Sequence, residues 1–366
     1  VSIKKLDDGK WQVRWRESDG SQRARRFRTK AEATAFEAST LAEIASGKYV
    51  ATASQTGTTV AELADLWLAA SLHLAPGTLH TYRRDLNRYI LPSFGMRRLR
   101  DVNSAAIQQF LGDEVKTLAP SSVHRHYRTM RTMFEWAKTA KILSTNPCDS
   151  VRPPKLTKDE PNFLTIEQID ALADAMPERY RAFVLVGAYG GFRFGELCGL
   201  RRGNVDGNKV KIVEQLSWRD GRALREPPKT LSSRRTVPLP SSVADILDSH
   251  LRQFSQPGAD GLVFPNKADN PIAPSFRTNV WRPACYRAGL ASRVRSGSSW
   301  KYENAPKIHD LRHTAVALAI AAGAHPKQIQ ARLGHASITT TLNTYGHLFA
   351  TLDDDLTDRL DRLREI

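Results

Sequence analysis

The stretch HDLRHT, His309–Thr314, ahead of the apolar run AVALAIAAG, decides how the rest of the chain is read. On a helix, His309 and Arg312 are three apart and share a face. His309 and His313 are four apart, which matches half of an H-E-x-x-H zinc motif. The zinc reading fails on detail. Asp310 stands where the glutamate is needed, Arg312 would press a fixed positive charge on the metal, and no third ligand follows nearby. Two readings stay open: a histidine that caps its helix, and an anion site of His309 with Arg312. The second is favoured, because a guanidinium fork suits two phosphate oxygens.

Other motifs point the same way. GGFRFGELCGL, 190–200, has two glycines ahead of Arg193 and places Glu196 three residues on. The glycines permit a sharp bend and close approach to a ligand. Glu196 either orients Arg193 or forms an ordinary surface ion pair with it. PPKTLSSRRTVPLP, 227–240, puts Lys229 in a turn before a strand, where it is solvated or positioned to give a proton to a leaving oxygen. His335 stands in LGHAS. Tyr345 stands in TLNTYGHLF, in a segment with Ser337 as a candidate N-cap. Arg193, Lys229, His309, Arg312, His335 and Tyr345 thus supply two guanidiniums, an ammonium, two imidazoles and a phenol. The sequence offers no carboxylate cluster for Mg²⁺ and no GxxxxGK[ST] loop for ATP. This inventory suits phosphoryl transfer in which protein cations stabilise a pentacoordinate phosphate and a phenol attacks.

The 366 residues are 41% hydrophobic, enough for two or three domains. A net charge of +16 points to a polyanionic partner, nucleic acid first. No apolar run approaches the roughly 20 residues of a spanning helix, and no signal-peptide pattern is read at the start. Cys148, Cys198 and Cys285 are widely spaced without CxxC, which predicts neither a disulfide framework nor a cysteine zinc site and fits a reducing compartment.

Residues 1–29 alternate around DDG and SDG, predicting three strands joined by Asp-Gly turns. Trp11, Val13 and Trp15 share one face, and Gln12, Arg14 and Arg16 share the other. Residues 30–46 predict a helix on the apolar face. The basic face is either solvated or offered to a major groove. KYVATASQTGTT, 48–59, reads as a linker. From 59 to 140 four apolar stripes of helical period follow, with LAPGT and LAPSS predicting starts capped by hydroxyls. Arg83, Arg84, Arg88, Arg125, His126, Arg128 and Arg131 give that bundle a basic surface. STNPCDSVRPPK, 144–155, breaks the helix. A mixed domain then opens on Thr165 and Gln168 at capping-box spacing. It continues through a buried helix, a bend and a second helix start (179–200). Strand-like segments at 209–217 and 232–240 flank the turn-rich SWRDGRALREPPKTL, and helices return after Ala273.

The ordered set R-F-G-E at 193–196, P-K-T at 228–230, H-D-L-R-H-T at 309–314, L-G-H at 333–335 and N-T-Y at 343–345 resembles the tyrosine recombinases, specifically phage-type integrases. Residues 59–150 resemble that family's core-site-binding helical domain, closing on Asn146-Pro147. Residues 1–50 resemble the arm-site-binding domain of two-site integrases. The resemblance implies a multidomain, mainly α fold with small β-sheets. Its parts are a three-stranded sheet plus helix at 1–50, a linker at 51–58, a four-helix core-binding domain at 59–145, a linker at 146–160, and a mixed α/β catalytic domain at 161–366. It implies a site-specific DNA recombinase working without metal, ATP or other cofactor. Tyr345 attacks the scissile phosphate to give a 3′-phosphotyrosine. Arg193 and Arg312 clamp the non-bridging oxygens, and Lys229 protonates the departing 5′-oxygen. His309 assists, His335 fills a position held by histidine or tryptophan, and Glu196 supports Arg193.

The implied partner is double-stranded DNA with core-type and arm-type attachment sites. The candidate contacts are Arg14, Arg16, Arg23, Arg25, Arg83, Arg84, Arg125, Arg128 and Arg131. A homotetramer on DNA, a host DNA-bending protein, an excisionase and a place at the nucleoid in the bacterial cytoplasm belong to the same expectation. Residues 265–308, with RVRSGSSWKYENAPK, read as a loop outside the shared pattern. The tail LDDDLTDRLDRLREI carries Leu352, Leu356, Leu360 and Leu363 on one face, for a neighbouring protomer or for the chain's own core. The rival readings are a type IB topoisomerase, a catalytically dead relative, and a regulator using AAGAHPKQIQARLGH, 321–335, as a helix-turn-helix.

Overall fold

The computed structural model describes residues 1–16, 22–45, 57–156, 161–228, 230–297, 299–334 and 337–350. Lys229, His335, the side chain of Arg23, most of the first expected linker and the leucine-bearing tail lie outside the described residues. The chain divides into two compact units, Val1–Lys158 and Asp159–Ile366.

In the first unit, β1 (Ser2–Lys5), β2 (Trp11–Arg16) and β3 (Gln22–Phe27) form an antiparallel sheet in that order. The period-2 alternation turns Val13 and Trp15 to the helix Lys30–Ala45, where they meet Ala33 and Phe36. Arg14, Arg16 and Arg25 are exposed on the sheet, and the Arg25 guanidinium lies over Phe36 at 5.1 Å.

Four helical segments follow: Val60–Ala70, Pro76–Asp85 continued through Leu86–Ile90 and Leu91–Phe94, Ser104–Glu114, and Pro120–Thr139. They close over Trp67, Phe94, Met130 and Phe134. Thr59 and Glu62 cap the first helix reciprocally. The expected hydroxyl caps at LAPGT and LAPSS are corrected. Pro76 and Pro120 occupy the first helical positions behind Ala75 and Ala119, with no side-chain cap. Proline starts a helix without one, because its φ is preset and it has no N–H to satisfy.

His126 is also corrected. It is fully buried, stacked on Tyr89 at 4.2 Å with Nδ1 2.9 Å from Glu114, so it belongs to the core and not to a basic surface. Beside it the buried Asp85 carboxylate holds Arg84 at 3.1 Å and Arg125 at 3.0 Å. Asn146 closes the unit. Its amide donates to Arg131 O and Glu135 Oε2, and its oxygen accepts from Cys148 N.

In the second unit the Thr165–Gln168 capping box starts the helix Ile166–Ala175 as its spacing predicts. The buried helix Arg181–Gly190 bends at Gly191 into the helix Phe194–Gly199. A small sheet of β4 (Val205–Asp206), β5 (Lys209–Ile212) and β8 (Arg235–Pro238) runs in the order β4-β5-β8. Two stretches read as turn or loop are instead hairpins. SWRDGRALREP folds as β6 (Gln215–Arg219) against β7 (Arg222–Glu226). Its turn at Asp220-Gly221 has φ of 50° and 75°, the paired positive values that Asp-Gly favours in tight hairpins. The segment around RVRSGSSWKYE pairs β9 (Ser292–Ser296) with β10 (Ser299–Glu303), and Arg293 stacks 3.9 Å over Trp300. The helices Ser241–Gln253, Arg282–Arg287, Asp310–Ala321, Pro326–Leu333 and Ile338–Ala350 complete the unit around Phe183, Phe192, Phe264 and Trp281.

Candidate active site

Glu196 is 1% exposed, three residues into the turn that follows the Gly190-Gly191 bend. Its carboxylate accepts from the Arg193 backbone N at 2.9 Å and from Arg193 Nη1 at 2.8 Å. On its other side Arg235 enters from β8 as a fork, with Nη2 at 2.8 Å and Nη1 at 3.1 Å. Burial is the largest single influence on Glu196 and would raise its pKa. The Arg235 and Arg193 partners together outweigh it and hold the carboxyl below its usual range.

Arg312 is 2% exposed on the helix Asp310–Ala321. Its Nη1 donates to Gly191 O at 2.6 Å and its Nη2 to Leu333 O at 2.7 Å. Arg235 Nε donates to the neighbouring Arg332 O at 2.7 Å. The last carbonyls of the helix Pro326–Leu333, which no further turn satisfies, therefore receive two guanidiniums at the negative end of the helix dipole. Gly334 ends that helix at φ 65°, with no room for a Cβ: one would lie 2.8 Å from Ser232 O. Burial first, then the Arg193 charge, push the Arg312 guanidinium down to about 9. Arg193 and Arg235 share the Glu196 carboxylate while Arg312 is held by neutral carbonyls, so positive charge is left under-compensated.

His309 begins the Arg312 helix. Loss of solvent contact, then His313, Arg312 and Arg193, push its imidazole down to about 4. One turn on, His313 meets His309 edge-on at 5.0 Å, and its Nδ1 lies 2.6 Å from the Tyr345 hydroxyl. Tyr345 is 3% exposed, on the helix that Ser337 caps through Thr339 N. Its ring packs with Val316, Ile320, Ile329 and Leu333. Burial raises its pKa to about 12 against the opposing pull of Arg312. Among the described residues no group of histidine, cysteine and carboxylate side chains has metal-ligand geometry.

The phage integrase family model matches residues 162–351, more than half of the chain, and the phage integrase central domain model matches residues 60–153. The chain belongs to the phage integrase family. It is a tyrosine recombinase. The ICEBs1 integrase of Bacillus subtilis is 25% identical over 99% of this chain and 100% of its own length. The integrase of Mycobacterium phage D29 is 27% identical over 86% of this chain and 81% of its own length. Two solved structures share the fold. A fragment of the Tn1549 transposon integrase with circular intermediate DNA has a TM-score of 0.66 at 19% identity, covering 84% of this chain and 100% of that one. A lambda integrase dimer bound to a COC′ core site has a TM-score of 0.58 at 18% identity, covering 93% of each. The multidomain, largely helical architecture with small sheets is that of these tyrosine recombinases.

Within this integrase-family fold, Arg193, Glu196, His309, Arg312 and Tyr345 lie in one unit and interact as a cluster. The sequence reading missed Arg235 and His313. Arg235 had a signal: strand alternation puts it on the inward face with Val237, and an inward arginine needs a buried carboxylate. In the sequence His313 stands out only through its zinc-motif spacing, because the phenol it meets lies 32 residues away. The segment 321–335, considered as a DNA-reading helix-turn-helix, instead aims the carbonyl end of its second helix at the arginines.

Proposed function

We propose that this chain is a site-specific recombinase that cuts and rejoins DNA strands at phage or mobile-element attachment sites through a 3′-phosphotyrosyl intermediate. The observation that carries the reading is the geometry at Arg312: a guanidinium 2% exposed, held by Gly191 O and Leu333 O, in the unit that also gathers Arg193 and Arg235 on Glu196 and holds Tyr345. Such a cluster is relieved by an anion, and the non-bridging oxygens of a phosphodiester supply one. Arg193 and Arg312 hold that phosphate. Tyr345 Oη attacks phosphorus and passes its proton to the neutral His309, the bond to the 5′-oxygen breaks, and Lys229 gives the departing oxygen its proton. His309 and His335 donate hydrogen bonds to the pentacoordinate phosphate, and Glu196 keeps Arg193 in place. The bond energy stays in the tyrosyl phosphodiester, so a 5′-hydroxyl of another strand reverses the step without ATP or metal.

The division of labour we assign is arm-site binding by 1–50, core-site binding by the bundle and catalysis by 161–366. The expected linker at 146–160 is corrected over its first part, because Cys148 and Val151 are buried in the bundle core and Pro147 and Arg152 bond to its third helix. Exposed arginines suited to backbone phosphates are Arg14, Arg16 and Arg25 on the sheet and Arg83, Arg84, Arg128 and Arg131 on the bundle; Arg125 and Arg23 complete the set. A tetramer on DNA, a host bending protein, an excisionase and a place at the nucleoid belong to the same proposal. Among the described residues no helix is long and apolar enough to cross a membrane.

The test is to incubate wild type and Tyr345→Phe with end-labelled core-site duplex, denature, and look for a covalent adduct. Wild type should hold the 3′ side of the break and leave a free 5′-hydroxyl. Tyr345→Phe should bind the duplex normally and form no adduct. An adduct from Tyr345→Phe, or one mapping to another tyrosine, ends the assignment.

A further inference from the structure

Nothing above gives His313 a part in the reaction, yet it touches the group on which the reaction turns. The Tyr345 ring sits among Val316, Ile320, Ile329 and Leu333, contacts that hold a ring but do not aim a hydroxyl. Among the described residues, the directional contact on the hydroxyl is His313 Nδ1 at 2.6 Å. A buried hydroxyl left without a partner is unfavourable, so this bond selects one placement of the oxygen. His313 follows Arg312 directly on one helix, and the Arg312 charge acts on Tyr345. The nucleophile and the phosphate-holding cation are thereby referred to adjacent residues of one rigid element, the arrangement that preserves reacting geometry.

We infer that His313 is the positioning residue for the nucleophile: its Nδ1 accepts the hydrogen bond of the Tyr345 phenol and sets the attacking oxygen against the Arg312 site. The inference rests on the reading of Tyr345 as the nucleophile. It requires a neutral imidazole with its proton on Nε2, because only an unprotonated Nδ1 accepts. The groups facing His313 are Asp310, Arg312 and Lys307, with His309 edge-on and Tyr345 from the following helix. Burial first, with Arg312 and Lys307 behind it, outweighs Asp310 and keeps His313 below its usual 6.5. The bond therefore stands at neutral pH. Acidification below 6.5 protonates Nδ1, turns it into a donor and removes the phenol's acceptor. His309, held at about 4, titrates below the pH range of the test and does not confuse it.

Two variants separate position from basicity. In His313→Asn an amide oxygen can take the place of Nδ1 but does not titrate, whereas His313→Leu has no acceptor. Single-turnover adduct formation on saturating core-site duplex is measured with the full chain across pH 5–8. His313→Leu should slow the adduct by up to about 10²-fold, the scale of a misplaced reactant, with DNA affinity unchanged. His313→Asn should stay within about threefold of wild type, since it restores the acceptor, and should lose the acid limb that wild type shows below pH 6.5. Wild-type rates in both variants would overturn the inference, and so would an Asn variant as slow as Leu, which would mean that basicity is what matters. If His313→Leu fails to fold, the Asn pH profile decides alone. Mapping the adduct peptide keeps the two readings apart. An adduct on another tyrosine sinks the nucleophile assignment, while an adduct on Tyr345 with indifferent His313 variants sinks only this one.

Discussion

Lys229 and Arg235 come from the same stretch of sequence, yet they ask for different tests. Arg235 is committed. Its guanidinium is 5% exposed and shared between Glu196 and the end of the helix Pro326–Leu333, so it acts on the phosphate only through what it holds in place. Lys229, for which the resemblance supplies the role, is the acid in the proposal above. A lost general acid costs about 10²–10⁴-fold in rate, whereas one phosphate contact among many lowers affinity modestly. Lys229→Ala should therefore slow cleavage far more than it weakens binding. The check is an oligonucleotide with sulfur in place of the bridging 5′-oxygen. Sulfur leaves without a proton, so the substituted strand should restore cleavage to the variant. Absence of rescue would reduce Lys229 to a binding residue.

At the scale of elements, the site depends on how one short helix ends. Leu333 O holds Arg312, and Gly334 at φ 65° turns the chain away immediately after it. Gly334→Ala adds the strain of a left-handed non-glycine residue and a Cβ 2.8 Å from Ser232 O and 3.0 Å from Ser233 Cα. The displaced carbonyl should loosen Arg312, lowering single-turnover cleavage by about tenfold or more with core-site affinity near wild type. Gly207→Ala is the control. Gly207 has φ 52° and nothing within 4 Å of the added Cβ, so that variant meets the backbone cost alone and should cleave normally. If the two variants cleave alike, the helix end does not set the arginine.

The same scale shows what the sequence could tell. The capping boxes at Thr59 and Thr165, the amphipathic stripes and the bend at Gly191 are local, and their patterns give them away. The β6–β7 hairpin is signalled by Asp220-Gly221 alone, because Leu216 is the one buried residue of its two strands and no apolar period flanks the turn. The candidate site was legible as an inventory because motif order carries it. Its geometry was not, because Arg235 meets Glu196 across 39 residues and His313 meets Tyr345 across 32. His126 misled because it lies among arginines in sequence, while the helix turns it to Tyr89 and Glu114.

At the scale of the whole molecule, the question is which parts the chemistry needs. The sheet and its helix have their own small core around Val13, Trp15 and Ala33, and the bundle has a separate one around Trp67, Phe94 and Phe134. The bundle begins at Thr58, whose carbonyl accepts from Leu99 N at 3.0 Å, and at the Thr59 cap. Removing residues 1–57 therefore leaves every one of those bundle contacts in place. It also removes Arg14, Arg16 and Arg25, whose proposed phosphate contacts would weaken as salt rises. The truncated chain should form the Tyr345 adduct on core-site duplex at close to the full-length rate. It should fail to bind a second, distal attachment-site element, and should show a shallower dependence of affinity on salt with DNA that carries both elements. Cleavage and distal binding are measured on the same preparation. A truncated chain that has lost cleavage but still binds the distal element would reverse the roles assigned to the two regions.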